Sequence, residues 1–286
     1  MKIGVGLPNP VPGTRGPAIL EFARRAEQRG FHGVATIDRV AYPNHDTLAT
    51  LAAVAGATSR IQLLSNVLLA PLYPPPLLAK SAASIDQLSG GRFTLGVAPG
   101  GRADDFAVVG RDMQRRGREM DEALGYLHRA WRGELFGDGK PICPPPTNGD
   151  RVPVLIGGGS DAAVRRTVEW GAGWTAGGIP PAMAGPFMQQ VRVAWEQAGR
   201  AGEPRLAALA YFALGDDAAA DSRAYLNDYY AFLGPYGEQI AEGALRSPAA
   251  IRDSVAAFTD VGCTELYLDA TTSSPDQVDR LADVVL

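Results

Sequence analysis

Val152-Pro153-Val154-Leu155-Ile156 is apolar at five successive positions and runs straight into Gly157-Gly158-Gly159-Ser160-Asp161. A strand that is apolar at consecutive rather than alternate positions needs cover on both faces, the condition of a parallel sheet flanked by helices. Helical sequence follows it to about Gly171. The same alternation recurs along the chain, with short apolar runs at Lys2–Leu7, Gly33–Ile37, Ile61–Asn66, Phe93–Ala98, Val152–Ile156, Gly173–Ala176, Leu206–Leu214 and Glu265–Asp269, each followed by helical sequence. Eight β-then-α units in 286 residues match the (β/α)8 barrel, about 250 residues in its usual form, better than an open doubly wound sheet. The expectation is an α/β chain forming one TIM-barrel domain over residues 1–286.

The first helix shows the local logic. Pro17 falls in the first turn, where its missing N–H costs nothing, Ile19, Phe22, Ala23 and Ala26 share one face, and Gly30 ends the run. A barrel gathers its functional groups on the loops that leave the C-terminal ends of its strands. Strand-end residues are therefore the candidates, and the Pro/Gly-rich segment Gly133–Asp150, which joins a helix to the next strand, is expected on the opposite face as a structural connection.

Composition narrows the partners. The chain carries 27 Lys+Arg against 31 Asp+Glu, a net charge of −4, with 46% hydrophobic residues, so neither a basic nucleic-acid footprint nor a polybasic membrane surface is present. A small-molecule substrate is the expected partner, with no nucleic acid and no membrane. Cys143 and Cys263 stand far apart and form neither a disulfide framework nor a zinc spacing, which fits a reducing cytoplasm. Met1-Lys2-Ile3-Gly4-Val5-Gly6-Leu7 reads as a first strand and not as a secretory signal, and no stretch reaches the roughly 18 apolar residues of a membrane helix.

At the strand ends, Gly157, Gly158, Gly159 and Ser160 let backbone approach an anion at a helix N-terminus, a phosphate-binding arrangement; the same residues also make an ordinary capped turn. They satisfy G-x-G-x-x-A as well, ending at Ala162, but the dinucleotide fingerprint needs an acid after the next strand, where Thr175-Ala176-Gly177-Gly178 stands. Pro99-Gly100-Gly101-Arg102 would admit a flat ligand near backbone, or form a tight turn. Asp38-Arg39 closes the second strand, either as a rim site or as a structural ion pair, and Asn66 closes the third. Of three histidines, His32 and His128 read as structural, whereas His45, in the loop after the second strand, can reach the barrel mouth. Tyr225, Tyr229 and Phe232, one helical face after the seventh strand, are candidates for core packing or for a hydrophobic substrate pocket or lid.

Arg92-Phe93-Thr94-Leu95-Gly96-Val97-Ala98-Pro99-Gly100-Gly101-Arg102, with Leu77-Leu78-Ala79-Lys80-Ser81 and Ile85-Asp86-Gln87-Leu88-Ser89-Gly90-Gly91 before it, resembles the bacterial luciferase-like monooxygenase family. These are flavin- or deazaflavin-dependent oxidoreductases on a (β/α)8 barrel. Glu27–Phe31, Ala57–Ile61, Arg116–Glu122, Pro153–Gly158 and Gly171–Trp174 extend the likeness over nearly the whole chain. The resemblance implies that Gly157, Gly158, Gly159 and Ser160 hold the cofactor's ribityl phosphate, that Asn66-Val67 form a bulge, with a cis peptide in many members, backing the central ring, and that Pro99, Gly100 and Gly101 pass near ring and ribityl chain. Asp38 matches a rim position of the cofactor site, but Arg39 stands where the family often has histidine. Arg39 or His45 is then the candidate catalytic group.

The resemblance thus implies an oxidoreductase using reduced FMN and oxygen on a small organic substrate, served by a separate flavin reductase and paired as a homodimer. Coenzyme F420, which moves a hydride without activating oxygen, is the alternative cofactor. A non-catalytic flavin-binding barrel is the second alternative, and a nicotinamide-linked dehydrogenase on an open sheet the weakest.

Overall fold

A computed structural model describes residues 1–286. Its strands are β1 (Lys2–Gly6), β2 (Gly33–Thr36), β3 (Gln62–Ser65), β4 (Leu68–Leu69), β5 (Phe93–Ala98), β6 (Val154–Gly157), β7 (Gly173–Thr175), β8 (Arg205–Phe212) and β9 (Glu265–Ala270). Between and after them lie α1 (Gly16–Arg29), α2 (Thr47–Ala57), α3 (Pro75–Ser89), α4 (Ala103–Val108), α5 (Arg116–Trp131), α6 (Asp161–Trp170), α7 (Pro181–Gln197), α8 (Ala218–Tyr229), α9 (Pro235–Glu242), α10 (Pro248–Asp260) and α11 (Asp276–Val285).

Every strand pairing is parallel, in the order β3-β2-β1-β9-β8-β7-β6-β5-β4, and β3 also pairs β5, so the sheet closes on itself. β3 and β4 are one barrel stave broken at Asn66-Val67, whose peptide bond is cis. Leu63 and Leu64 pair Phe93 and Thr94 before the break, and Leu68 and Leu69 pair Val97 and Ala98 after it. The eight expected strands therefore become eight staves of a (β/α)8 barrel. The two-residue β4 was not expected, because two leucines are too short a run to carry a period. The closed sheet also removes the open-sheet dehydrogenase reading.

Strand pleat decides which side chains fill the interior. Ala35, Leu64, Leu155, Ala207, Leu209 and Tyr267 form an inner cluster, distinct from the larger one between sheet and helices. At the N-terminal end of the barrel, Arg205 is held by Glu265 at 2.7 and 2.9 Å and donates to Thr94 at 2.9 Å. At Gly4 and Gly6, β1 gives the interior no side chain: a Cβ at Gly4 would run into the Tyr267 ring, and one at Gly6 into the Asp269 carboxyl. Those two glycines make the room that Tyr267 and Asp269 occupy.

Outside the sheet, α1 buries Ile19, Phe22, Ala23 and Ala26 and is closed by Gly30 at φ 91°. The Gly133–Asp150 segment docks beside the start of β5, where Asn148 donates to the Gly91 carbonyl and the Thr147 N–H donates to Asp86. No helix is long and apolar enough to cross a membrane.

Candidate active site

At the C-terminal end of the barrel the inward-facing residues of the β5–β7 side shrink to Ala98, Gly157 and Thr175, and the space they leave is a cleft of about 410 Å³. That lies within the range of small-molecule sites. The β3–β4 break supplies Asn66, Val67 and Leu69 to one wall; Pro99, Gly100, Gly101 and Arg102 from the loop after β5 form another; Gly157, Gly158 and Gly177 edge the third; and Tyr229, Tyr230 and Phe232 at the end of α8 close over the mouth. Two sequence stretches far apart in the chain, the triple glycine and the third-strand asparagine, thus reach one mouth.

Several features fit a flat, polar-edged ligand. The Thr175 hydroxyl donates to Asn66 Oδ1 at 2.8 Å, which orients the amide, and Asn66 Nδ2 is left as a buried donor without an acceptor in the cleft wall. Gly157 keeps its wall thin, since a Cβ there would stand 3.2 Å from the Ala98 Cβ and 3.3 Å from Val67 Cγ1. Gly158 adopts φ 112°, a conformation that L side chains rarely take, while its carbonyl accepts from Trp174 Nε1 at 2.8 Å. Ser160 is the N-cap residue of α6, yet its hydroxyl makes no capping hydrogen bond, so it and the first N–H groups of the helix remain free to bind a ligand. The expected serine cap is thereby corrected; Gly159 and Ser160 lie just outside the cleft lining, exposed at its edge.

The adjacent pair at the end of β2 does not form an ion pair with itself. Asp38 is buried and accepts from the Leu69 N–H at 3.0 Å and from the Tyr73 hydroxyl at 3.1 and 3.2 Å, tying β2 to the β3–β4 break. Burial dominates its titration and pushes the carboxyl up to about 6. Arg39 turns the other way. Its Nε donates to Asp105 at 2.7 Å and its Nη2 to Asp104 at 2.7 Å, with only 4% of the side chain exposed, and Asp105 is wholly buried. Asp105 also accepts from the Val40 and Ala41 N–H groups at 2.9 and 2.7 Å.

His45 does not reach the cleft. Its exposed ring lies 2.9 Å from the Thr14 carbonyl, in a separate surface depression beside α1 and α2. The α2 N-cap at Asp46 turns the chain outward one residue after it. Tyr225 and Tyr229 are both buried in the inner cluster, and Tyr229 also lines the cleft together with Phe232 and Tyr230, whose hydroxyl is 2.6 Å from that of Tyr211. His128 is buried between Trp131 and Trp170, and burial lowers it to about 4.

The family model for luciferase-like monooxygenases matches residues 1–278. The chain belongs to that family. An uncharacterized protein of Mycobacterium tuberculosis is 28% identical over 211 residues, 63% of this chain and 72% of its own length. The 4-hydroxyprotoasukamycin monooxygenase of Streptomyces nodosus subsp. asukaensis is also 28% identical over 211 residues, 64% of this chain and 56% of that protein. Among solved structures, the monooxygenase RslO1 from Streptomyces bottropensis superposes with a TM-score of 0.82 at 20% identity, over 100% of this chain and 98% of its own. An F420-dependent secondary alcohol dehydrogenase superposes with 0.80 at 19% identity, over 99% and 98%. At those identities the superpositions establish the shared fold.

Sequence reasoning did not assign Asp105, Thr175 or the side chain of Arg102 to the site. Asp104-Asp105 directly after a strand-end glycine loop was a usable signal. Thr175, at the tip of β7, follows from the strand-end rule once the barrel is accepted.

Proposed function

We propose that this chain is a luciferase-like oxidoreductase that binds reduced FMN in the barrel-mouth cleft and oxygenates a small organic substrate. The observation that carries the reading is the buried, unpartnered Asn66 Nδ2, oriented by Thr175, in a wall kept thin by Ala98 and Gly157. A donor buried without an acceptor costs about 1–3 kcal/mol, so a ligand acceptor there is the natural completion of the site. The kinship with proteins described as monooxygenases supports the oxygen-using form.

When bound, reduced flavin would supply two electrons to dioxygen, one oxygen atom going to the substrate and the other leaving, with two protons, as water. The protein's own residues do the rest. Asn66, Val67 and Ala98 would hold the ring face, Pro99, Gly100 and Gly101 would line its path, and the N–H groups from Gly157 to Ser160 would take the phosphate. Asp38, through Leu69 and Tyr73, fixes the β3–β4 break that carries Asn66. Tyr229, Tyr230 and Phe232 exclude water above the ring. Arg39, with Nε and Nη2 committed to Asp105 and Asp104, stabilises the cleft wall instead of moving a proton. The same reading requires a separate reductase to deliver reduced flavin, and a homodimer as the working unit.

Anaerobic titration with reduced FMN and, in parallel, reduced F420 tests this. Saturable micromolar or tighter FMN binding, weakened at least tenfold by Gly158→Ala, is expected. Binding of F420 alone transfers the site to hydride chemistry, and binding of neither refutes the reading.

A further inference from the structure

Two arginines line the cleft, and they are in opposite states. The Nε and Nη2 donors of Arg39 are spent on Asp105, Asp104 and the Ala41 carbonyl. Arg102 lies among aromatic rings and has no such partners. Its Cζ sits 3.9 Å from the Phe232 ring centroid, 4.4 Å from that of Tyr229 and 5.6 Å from that of Tyr230. No carboxylate forms an ion pair with it and none of its N–H groups finds an acceptor within the protein. Stacking engages the faces of a guanidinium and leaves its edge, where all five N–H donors lie, for another group. Burial lowers its proton affinity and the nearby Arg39 guanidinium adds to the lowering, while Tyr229, Tyr230 and Asp105 oppose it.

We propose that Arg102, clamped by Tyr229 and Phe232 at the cleft mouth, anchors a carboxylate carried by the substrate, so that the enzyme selects anionic, carboxylate-bearing molecules. The inference rests on the reading of this cleft as the oxidoreductase site and names the class of substrate it takes. A planar carboxylate matches a guanidinium edge with two parallel hydrogen bonds, a geometry that an ammonium cannot supply. The aromatic clamp holds the fork in place beforehand, so little side-chain freedom is lost when the anion arrives. The remainder of such a substrate faces the apolar wall of Leu69, Tyr229 and Tyr230.

Calorimetric binding of benzoate and octanoate, each against its neutral amide, to the cofactor-free protein tests the proposal. Wild type is expected to prefer each acid over its amide by at least tenfold. Arg102→Gln abolishes that preference while leaving amide binding and reduced-FMN affinity within twofold, and Arg102→Lys restores less than half of the lost selectivity on a logarithmic scale. Wild type without acid preference, or an Arg102→Gln protein that keeps it, overturns the assignment. Loss of reduced-FMN affinity in Arg102→Gln by the same factor as the acids also overturns it, because the arginine then serves the cofactor phosphate. Failure of wild type to bind reduced FMN, with the acid preference intact, instead overturns the cofactor reading and leaves the anion site standing.

Discussion

Replacing Asp105 by alanine is expected to be among the most damaging single changes near the cleft, and its cost follows from the contacts. Asp105 is wholly buried and accepts three hydrogen bonds out of solvent, from Arg39 Nε at 2.7 Å and from the Val40 and Ala41 N–H groups, which close the β2 end onto α4. Breaking a buried ion pair from one side costs about 3–5 kcal/mol, since the remaining charge stays buried. Asp104 still reaches Arg39, but its own side chain is 57% exposed, so it compensates at the weak end of the range. Each orphaned N–H adds about 1–3 kcal/mol. The contributions overlap, and a total near 5 kcal/mol is expected, or roughly 10 °C in Tm for a chain of this size. The double variant Arg39→Met/Asp105→Leu removes both charges and leaves only the two N–H groups unpaired, so it should recover about half of the loss. Urea unfolding and scanning calorimetry of the wild type, both single variants and the double variant read this directly. An Asp105→Ala protein within 3 °C of wild type, or a double variant no more stable than the singles, would refute the reasoning.

Asp38 makes stability depend on pH. Its folded-state carboxyl titrates near 6, above the unfolded value of 3.8, so the native state binds the extra proton between those values. Stability then falls as pH rises from 4 to 6, by about 3 kcal/mol for this group. Asp38→Asn is expected to make urea midpoints rise with pH across the interval more steeply than in wild type. His128, lowered by burial to about 4, acts in the opposite direction between 4 and 6.5, and His128→Gln should expose the full Asp38 slope. Thr175→Val leaves Asn66 Oδ1 unpaired and its amide free to turn, so reduced-FMN affinity should drop about tenfold with Tm lowered by only a few degrees. His45→Ala, on the far side of Thr14, should leave reduced-FMN affinity within twofold, and a larger change would bring His45 back into the site.

Much of this molecule could be read before its coordinates. Consecutive apolar residues in Val154–Ile156 announced a strand covered on both faces, and the buried face of α1 is the one the sequence spacing selects, because helix and strand periods are local properties of the chain. The convergence of Asn66 with Gly157 and Gly158 on one mouth followed from the barrel rule and from family likeness. The pairing of charges did not. Asp38 and Arg39 are neighbours in sequence, but they sit on an irregular strand end where successive side chains diverge, and each found partners 31 to 66 positions away.

His45 and Arg102 mark the same boundary from two sides. Loop position alone allowed the histidine to reach the cleft, and the α2 cap carried it outward; nothing in the sequence said that the second arginine of the cleft would be left unpaired. The order of apolar and polar residues determined the strands, the helices and their closure into a barrel, since burial acts on each segment through its own pattern. Which donors are satisfied and which wait for a ligand was decided only when the closed sheet brought distant strand ends within about 3 Å of one another, a distance at which hydrogen bonds are made or missed.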